Sequence, residues 1–168
     1  SFTDGTPIPN WRGYEKDIKD NVLAYKAVGM KIAFTNGCFD LFHAGHLQLL
    51  KFCARGGRKV LVVVGVNSDD SVRRLKGDDR PIIPFDQRVA IVASCVYGTQ
   101  VVGFDEATPE ELITWIEPDV LIKGEEWTNK KVAGSKAVID NGGFIKFSPM
   151  AVDVSTSKII EKIRGLNG

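Results

Sequence analysis

The chain has 168 residues, with 22 Lys plus Arg against 21 Asp plus Glu and a formal net charge of +1. No global field would therefore hold it on a nucleic acid or an anionic membrane, and any phosphate site must be local. A hydrophobic fraction of 43% and a charged fraction of 26% suit one sizeable core and argue against wholesale disorder or a multidomain machine.

Two prolines and two glycines without apolar periodicity mark residues 1–13 as an extension, with one domain expected over 14–168. Tyr14, Ile18, Val22, Tyr25 and Val28 then recur at helical spacing, and Gly29 stands where a left-handed C-terminal cap belongs. Lys31 to Thr35 reads as a strand running into Asn36-Gly37, and Leu47 to Ala54 as a helix closed by Gly56-Gly57. The run from Val60 to Val64 has the β-branched character of a strand buried on both faces. Phe85–Ser94 is expected to be helical, followed by a strand over Val101–Phe104 and a helix over Pro109–Ile116. Thr108, Pro109 and Glu111 predict a capping box at the start of that helix. Strands at Val120–Ile122 and Phe144–Phe147 enclose a helix over Ser135–Asn141, and a last helix starts near Lys158. This alternation predicts an α/β fold: a Rossmann-like, five-stranded parallel sheet with helices on both faces. Ligands in such folds bind at the carboxyl ends of strands, so the loops after Thr35, Val66 and Ile122 are where chemistry is expected.

The longest apolar run, Val60 to Val66, falls far short of the ~20 residues of a membrane-spanning helix. The N-terminus lacks a basic-then-apolar signal pattern. Cys38, Cys53 and Cys95 are odd in number and lack CxxC spacing, which fits neither a disulfide framework nor a zinc site. A cytoplasmic protein with reduced thiols and no nucleic-acid or membrane partner is expected.

The chain has two histidines, His43 and His46, and both fall within Asn36-Gly37-Cys38-Phe39-Asp40-Leu41-Phe42-His43-Ala44-Gly45-His46. Two histidines placed at random would be three apart about 1% of the time, so the spacing carries information. The motif follows the first strand and opens a helix, where free N–H groups and the positive end of the dipole favour a phosphate. Ala44 and Gly45 let the backbone approach that anion, and two imidazoles one turn apart can donate hydrogen bonds as charge moves to a leaving group. The alternatives are a metal pair or satisfied core histidines, but no Cys or third His completes a metal set, and no metal-ligating residue is assigned.

The stretch Thr35-Asn36-Gly37-Cys38-Phe39-Asp40 with His43-Ala44-Gly45-His46 resembles the signature of the cytidylyltransferase-like nucleotidyltransferases. Val66-Asn67-Ser68-Asp69, Arg74-Leu75-Lys76-Gly77, Arg80-Pro81-Ile82, Gln87-Arg88, Lys123-Gly124, Gly142-Gly143 and Ser155-Thr156 extend the likeness over residues 31 to 164. It is most similar to the adenylyltransferase domains of ADP-heptose synthases. The resemblance implies transfer of AMP from ATP to a sugar 1-phosphate of the heptose type, with release of pyrophosphate and with Mg²⁺ accompanying the nucleotide. A homodimer and a pathway link to a sugar kinase are expected by the same analogy.

The resemblance makes His43, His46 and Lys76 the catalytic candidates. It implies nucleotide contacts from Thr35, Asn36, Gly37, Phe39, Asp40, Gly45, Arg88, Lys123, Gly124, Ser155, Thr156 and Ser157. Acceptor contacts fall to Asn67, Asp69, Lys123 and Trp127. Several of these have structural readings as well: Arg88 in an ion pair, Ser155 to Ser157 capping the last helix, and Asp40 holding its loop through backbone N–H bonds. Met150-Ala151-Val152-Asp153-Val154 precedes Ser155 where glycerol-phosphate and related cytidylyltransferases carry Arg-Thr-x-Gly-Ile, which favours the adenylyl branch. Lys123-Gly124-Glu125-Glu126-Trp127 stands where heptose-type members have Lys-Gly-x-Asp-Tyr. A CTP-dependent alcohol-phosphate cytidylyltransferase is the rival enzyme, and a non-catalytic nucleotide-binding regulatory module the rival from another class.

Overall fold

Leu61, Val62, Val63, Val64 and Val66 are each at most 3% exposed, and an unbroken apolar run can be buried only where both faces of its sheet are covered. Their strand, β2 (Val60–Asn67), accordingly lies inside a sheet, flanked by β1 (Lys31–Gly37) and β3 (Gln100–Phe104). β4 (Val120–Gly124) pairs with the other edge of β1, and β5 (Phe144–Ser148) with β4. The computed structural model describes residues 11–95 and 99–166, with the backbone alone for 11–16. Its sheet is five-stranded, parallel throughout, and ordered β3-β2-β1-β4-β5, the fold class expected from the sequence.

Seven helices are described: α1 (Trp11–Ala27), α2 (Ala44–Cys53), α3 (Asp69–Lys76), α4 (Phe85–Cys95), α5 (Glu110–Ile116), α6 (Ser135–Asp140) and α7 (Thr156–Leu166). The pleat sends alternate strand residues into two cores. Ile32, Phe34, Leu61, Val63 and Leu121 meet Ile18 and Val22 of α1, Ile113 and Ile116 of α5, and Val138 of α6. Ala33, Val62, Val64, Val66 and Ile122 meet Leu50 and Cys53 of α2 with Phe85 and Val92 of α4. Each such aliphatic side chain contributes about 1.5–3 kcal/mol on burial. The chain steps from β1 outward to β3 and then returns to the far side of β1, so the carboxyl ends of β1 and β4 flank the switch in strand order where a ligand crevice forms. No helix among the described residues is long and apolar enough to cross a membrane.

The elements differ from expectation mainly at their ends. α1 already begins at Trp11, inside the extension expected over residues 1–13, and residues 1–10 of that extension lie outside the described residues. Gly29, at φ +83°, ends α1 as expected, with its N–H on the Lys26 carbonyl and that of Met30 on the Tyr25 carbonyl. The buried stripe stops at Val22, however, since Val28 is 75% exposed. The Thr108 capping box is absent: α5 starts one residue late, its N-cap is Pro109, and no side chain caps it. α3 was not expected at all; it is capped by Ser68, whose hydroxyl accepts the Ser71 N–H at 3.1 Å. α2 and α7 start earlier than expected, on residues described below.

Close packing makes one glycine at the foot of β5 indispensable. A Cβ on Gly143 would stand 2.6 Å from the Asp119 carbonyl oxygen and 2.8 Å from Val138 Cγ1. Gly143→Ala is expected to cost about 1–3 kcal/mol, seen as a lowered thermal midpoint. An unchanged midpoint would contradict this packing.

Candidate active site

Beyond β1 the chain turns through Phe39 and Leu41, with φ of +51° and +47°. Side-chain-bearing residues resist that conformation at roughly 1–3 kcal/mol each, so the loop must be held from outside. Asp40, between them, provides the hold. Its carboxylate has 0% exposure and accepts hydrogen bonds from Arg80 Nε and from the N–H groups of Ile82 and Ile83, each at 2.8 Å. Burial alone would push this carboxyl up, but the two backbone donors and the Arg80 guanidinium outweigh it and hold it below its ordinary value. The Asp40 carbonyl in turn accepts the Thr156 hydroxyl at 2.7 Å. One aspartate thus joins the loop after β1, the segment before α4 and the start of α7.

Arg88 braces the same loop from below. It is fully buried, and a buried guanidinium must spend its donors on protein acceptors. Its Nη1 donates to the Cys38 carbonyl at 2.6 Å, Nε to the Ile83 carbonyl at 2.9 Å and Nη2 to Asp69 at 2.8 Å. Arg88 thus takes the structural reading, as an internal brace, and Asp69 is its counter-ion, with a side chain still 35% exposed. Asn67 is likewise buried, its amide donating to Ser71 Oγ at 3.0 Å. Asp40, too, spends its carboxylate on partners inside the protein.

α2 starts on His43, where Ser, Thr, Asp or Asn would be usual. His43 Nδ1 accepts the Gly45 N–H at 3.1 Å, and His46 Nδ1 accepts the His43 N–H at 3.2 Å, which makes a reciprocal capping box. The two rings stack with centroids 3.7 Å apart, and His46 also packs 5.3 Å from both Phe39 and Phe42. With each Nδ1 engaged as an acceptor, the network assigns the proton of each neutral ring to Nε2. Burial pushes both rings down from the ordinary imidazole value, His46 to about 3 with the charge of His43 as a second cause. At neutral pH the motif therefore offers two uncharged N–H donors beside the positive end of α2. A Cβ on Gly45 would lie 3.0 Å from His43 Cε1, so a side chain here would press on the imidazole.

The same hypothetical Cβ would lie 3.5 Å from Val154 Cγ1, so the segment leading into α7 crosses directly over the start of α2. Ser155 Oγ caps α7 by accepting the Lys158 N–H at 3.1 Å, while Ser157 is exposed on its first turn. The N-termini of two helices are thus brought together above β1, where the positive ends of both dipoles favour an anion. Lys123, on β4 beside Gly124, donates from Nζ to Asn36 Oδ1 at 3.2 Å, and the ammonium sits 4.6 Å from the centre of the Trp127 ring. Burial pushes Lys123 down to about 8. Lys76, exposed at the end of α3, lies close enough for its charge to act on the Cys38 thiol. Thr35 is buried, and its hydroxyl has no protein partner.

The structure therefore gathers Asn36, Gly37, Phe39, His43, Gly45, His46, Lys123, Ser155 and Thr156 at the switch point, with Lys76 and Trp127 at its margin. Arg80 and the Ile82 and Ile83 amides were not expected here. In the sequence Arg80 directly follows Asp78 and Asp79, and nothing local marks it as the partner of an aspartate forty residues away. Among the described residues no three His, Cys, Asp or Glu side chains group to hold a metal ion, and Asp40 already has three donors, so these residues do not form a magnesium cage.

Residues 34–162 match the cytidylyltransferase-like family. The chain is 44% identical over 150 residues to the bifunctional protein HldE of Haemophilus influenzae, covering 89% of this chain and 31% of that one. Against the HldE proteins of Alcanivorax borkumensis and Vibrio vulnificus it is 45% identical over 139 residues (83% and 29% covered) and 42% over 154 (92% and 32%). The chain thus spans about a third of the length of these curated relatives. The fold is shared with a lipopolysaccharide core biosynthesis protein from Thermoplasma volcanium, at TM-score 0.56 and 22% identity over 75% of this chain and all of that one.

The depressed imidazoles link stability to pH. A His46 value near 3 in the folded protein against 6.5 for a free ring means that the unfolded chain binds more protons below about pH 6.5. The stabilisation is complete above that point and is lost as pH falls toward 3. The thermal midpoint is expected to drop between pH 6.5 and 4, and to drop less in His46→Asn. Equal slopes in both proteins would contradict the assignment.

Proposed function

We propose a specific reaction for a chain that belongs to the cytidylyltransferase-like family and is a nucleotidyltransferase: transfer of AMP from ATP to a sugar 1-phosphate of the heptose type. The products are an ADP-sugar and pyrophosphate. The observation that carries this reading is the reciprocal cap of His43 and His46, which presents two neutral Nε2–H donors where the N-termini of α2 and α7 meet.

An oxygen of the acceptor phosphate attacks the α-phosphorus in line. A new P–O bond forms as the bond to the bridging oxygen breaks, and pyrophosphate leaves with that electron pair. No covalent intermediate is needed, so the protein's task is positioning and charge stabilisation. His43 and His46 donate to phosphate oxygens as charge accumulates on the leaving group, without moving a proton. The free N–H groups of α2 and α7 hold the triphosphate, Lys76 approaches its outer end, and Lys123, oriented by Asn36, takes the acceptor phosphate. Mg²⁺ would arrive with the nucleotide and neutralise its phosphates; no step is assigned to it.

The preference for ATP rests on Met150 to Val154, which lack the Arg and Gly of the cytidylyl pattern, and on similarity to the HldE relatives. Those relatives are named bifunctional, so a sugar kinase, fused or separate, is the proposed supplier of the acceptor. Three free cysteines support a cytoplasmic setting, and a homodimer is part of the same reading.

Pyrophosphate release with heptose 1-phosphate should be faster with ATP than with CTP, and His43→Ala or His46→Ala should lower kcat by about 10²-fold or more while melting stays cooperative. Faster turnover with CTP would select the cytidylyltransferase alternative, and near-wild-type turnover in both variants would overturn the histidine assignment. Lys123 gives a separate expectation. Its ammonium is charged below about pH 8, so KM for the acceptor should rise as pH passes that value. The inflection should vanish in Lys123→Arg, whose guanidinium stays charged. If it persists there, another group is responsible.

A further inference from the structure

A cavity of about 330 Å³ opens at the other end of the sheet, and nothing in the proposed reaction uses it. Lys31 on its rim precedes Asn36 by five strand residues, about 16 Å at the usual rise. Its floor is one continuous sheet face, in which Ala33, Val120 and Phe144 stand side by side on β1, β4 and β5. Its wall is the end of α2, where Phe52 leads into the 3-10 turn Ala54–Lys59.

The cavity has a physical origin. α6, which links β4 to β5, packs on the opposite face through Val138, and α7 contributes no buried residue. The α2 side of β4 and β5 is therefore left without a helix of its own among the described residues. Phe144 is 52% exposed there, where a polar residue would ordinarily face water.

The charges around this apolar hollow favour an anion. Arg55 sits 4.8 Å from the centre of the Phe52 ring and Lys146 5.9 Å from that of Phe144. Neither cation has a carboxylate partner among the described residues. The carboxylate that does line the cavity, Asp119, is committed to the Ile32 N–H at 2.7 Å and lies 3.9 Å from Lys31. An apolar hollow of this size, with a few polar groups at its edge, has the character of a small-molecule site and not of a surface for a protein or a lipid bilayer.

We propose that this cavity is a second ligand site, for a flat apolar molecule carrying one anionic group. The ring system lies against Phe144 and Phe52, and the phosphate, sulfonate or carboxylate is held by Arg55 and Lys146. The site is independent of the nucleotide crevice and of the reaction proposed there.

The test uses 8-anilinonaphthalene-1-sulfonate as the probe, titrated into the 168-residue chain and followed by fluorescence. One saturable site is expected, unaffected by excess Mg-ATP, and Arg55→Glu and Lys146→Glu should each weaken it at least about 5-fold. Phe144→Ser should weaken it as well. Because all three side chains are exposed, thermal midpoints should stay near wild type, and Lys146→Gln provides a milder change should a charge reversal unfold the protein. Affinity unchanged by the Arg55 and Lys146 substitutions, displacement of the dye by ATP, or no saturable binding would each overturn the proposal.

Discussion

The carboxylate of Asp40 is the contact on which the candidate site depends. A buried charge is tolerated only when its lone pairs are met, and here Arg80 and the amides of Ile82 and Ile83 meet them. This saturation keeps the loop after β1 in a conformation that places two left-handed residues around the aspartate. The same residue's carbonyl anchors Thr156. Arg88 adds a second buried charge beneath the loop, tying Cys38, Ile83 and Asp69 together. Both ions serve the shape of the site, leaving the exposed donors to face a ligand.

Those donors differ in kind. The histidines are neutral because burial makes the imidazolium costly, and each is locked by the other through the backbone of α2. Neutral N–H groups stabilise charge that develops during a reaction without binding the ground state as tightly as fixed cations would. The cationic side chains near them, Lys76 and Lys123, come from the ends of two different elements, α3 and β4.

The sheet was legible because its signal is local. The valine run of β2 states its burial on both faces, and Gly29 marks the end of α1 as the left-handed conformation requires. The histidine pair was legible because its spacing coincides with the start of a helix. Arg88 and Asp40 each carried a structural reading beside the ligand one, but their partners could not be named, because Cys38 lies 50 positions from Arg88 and Arg80 lies 40 from Asp40, where no periodicity records them. α3 escaped because five of its eight residues are charged, which erases the apolar stripe. The Ser68 cap, the acidic first turn and the basic last turn were present as dipole signals, but they are weaker than periodicity. Thr108 misled in the opposite way, since its capping pattern is present in sequence while the helix begins one position too late to use it.

The bond between Thr156 and Asp40 spans 116 positions, and this sets an order on the birth of the site. A ribosome that adds roughly 5–20 residues per second releases the histidine loop on the order of ten seconds before it completes α7. Throughout that interval the sheet can form, yet the anion cradle lacks one of its two helix ends. A nascent chain therefore carries the HxGH loop without the enclosure around it, and the second helix end joins it only once α7 has left the tunnel.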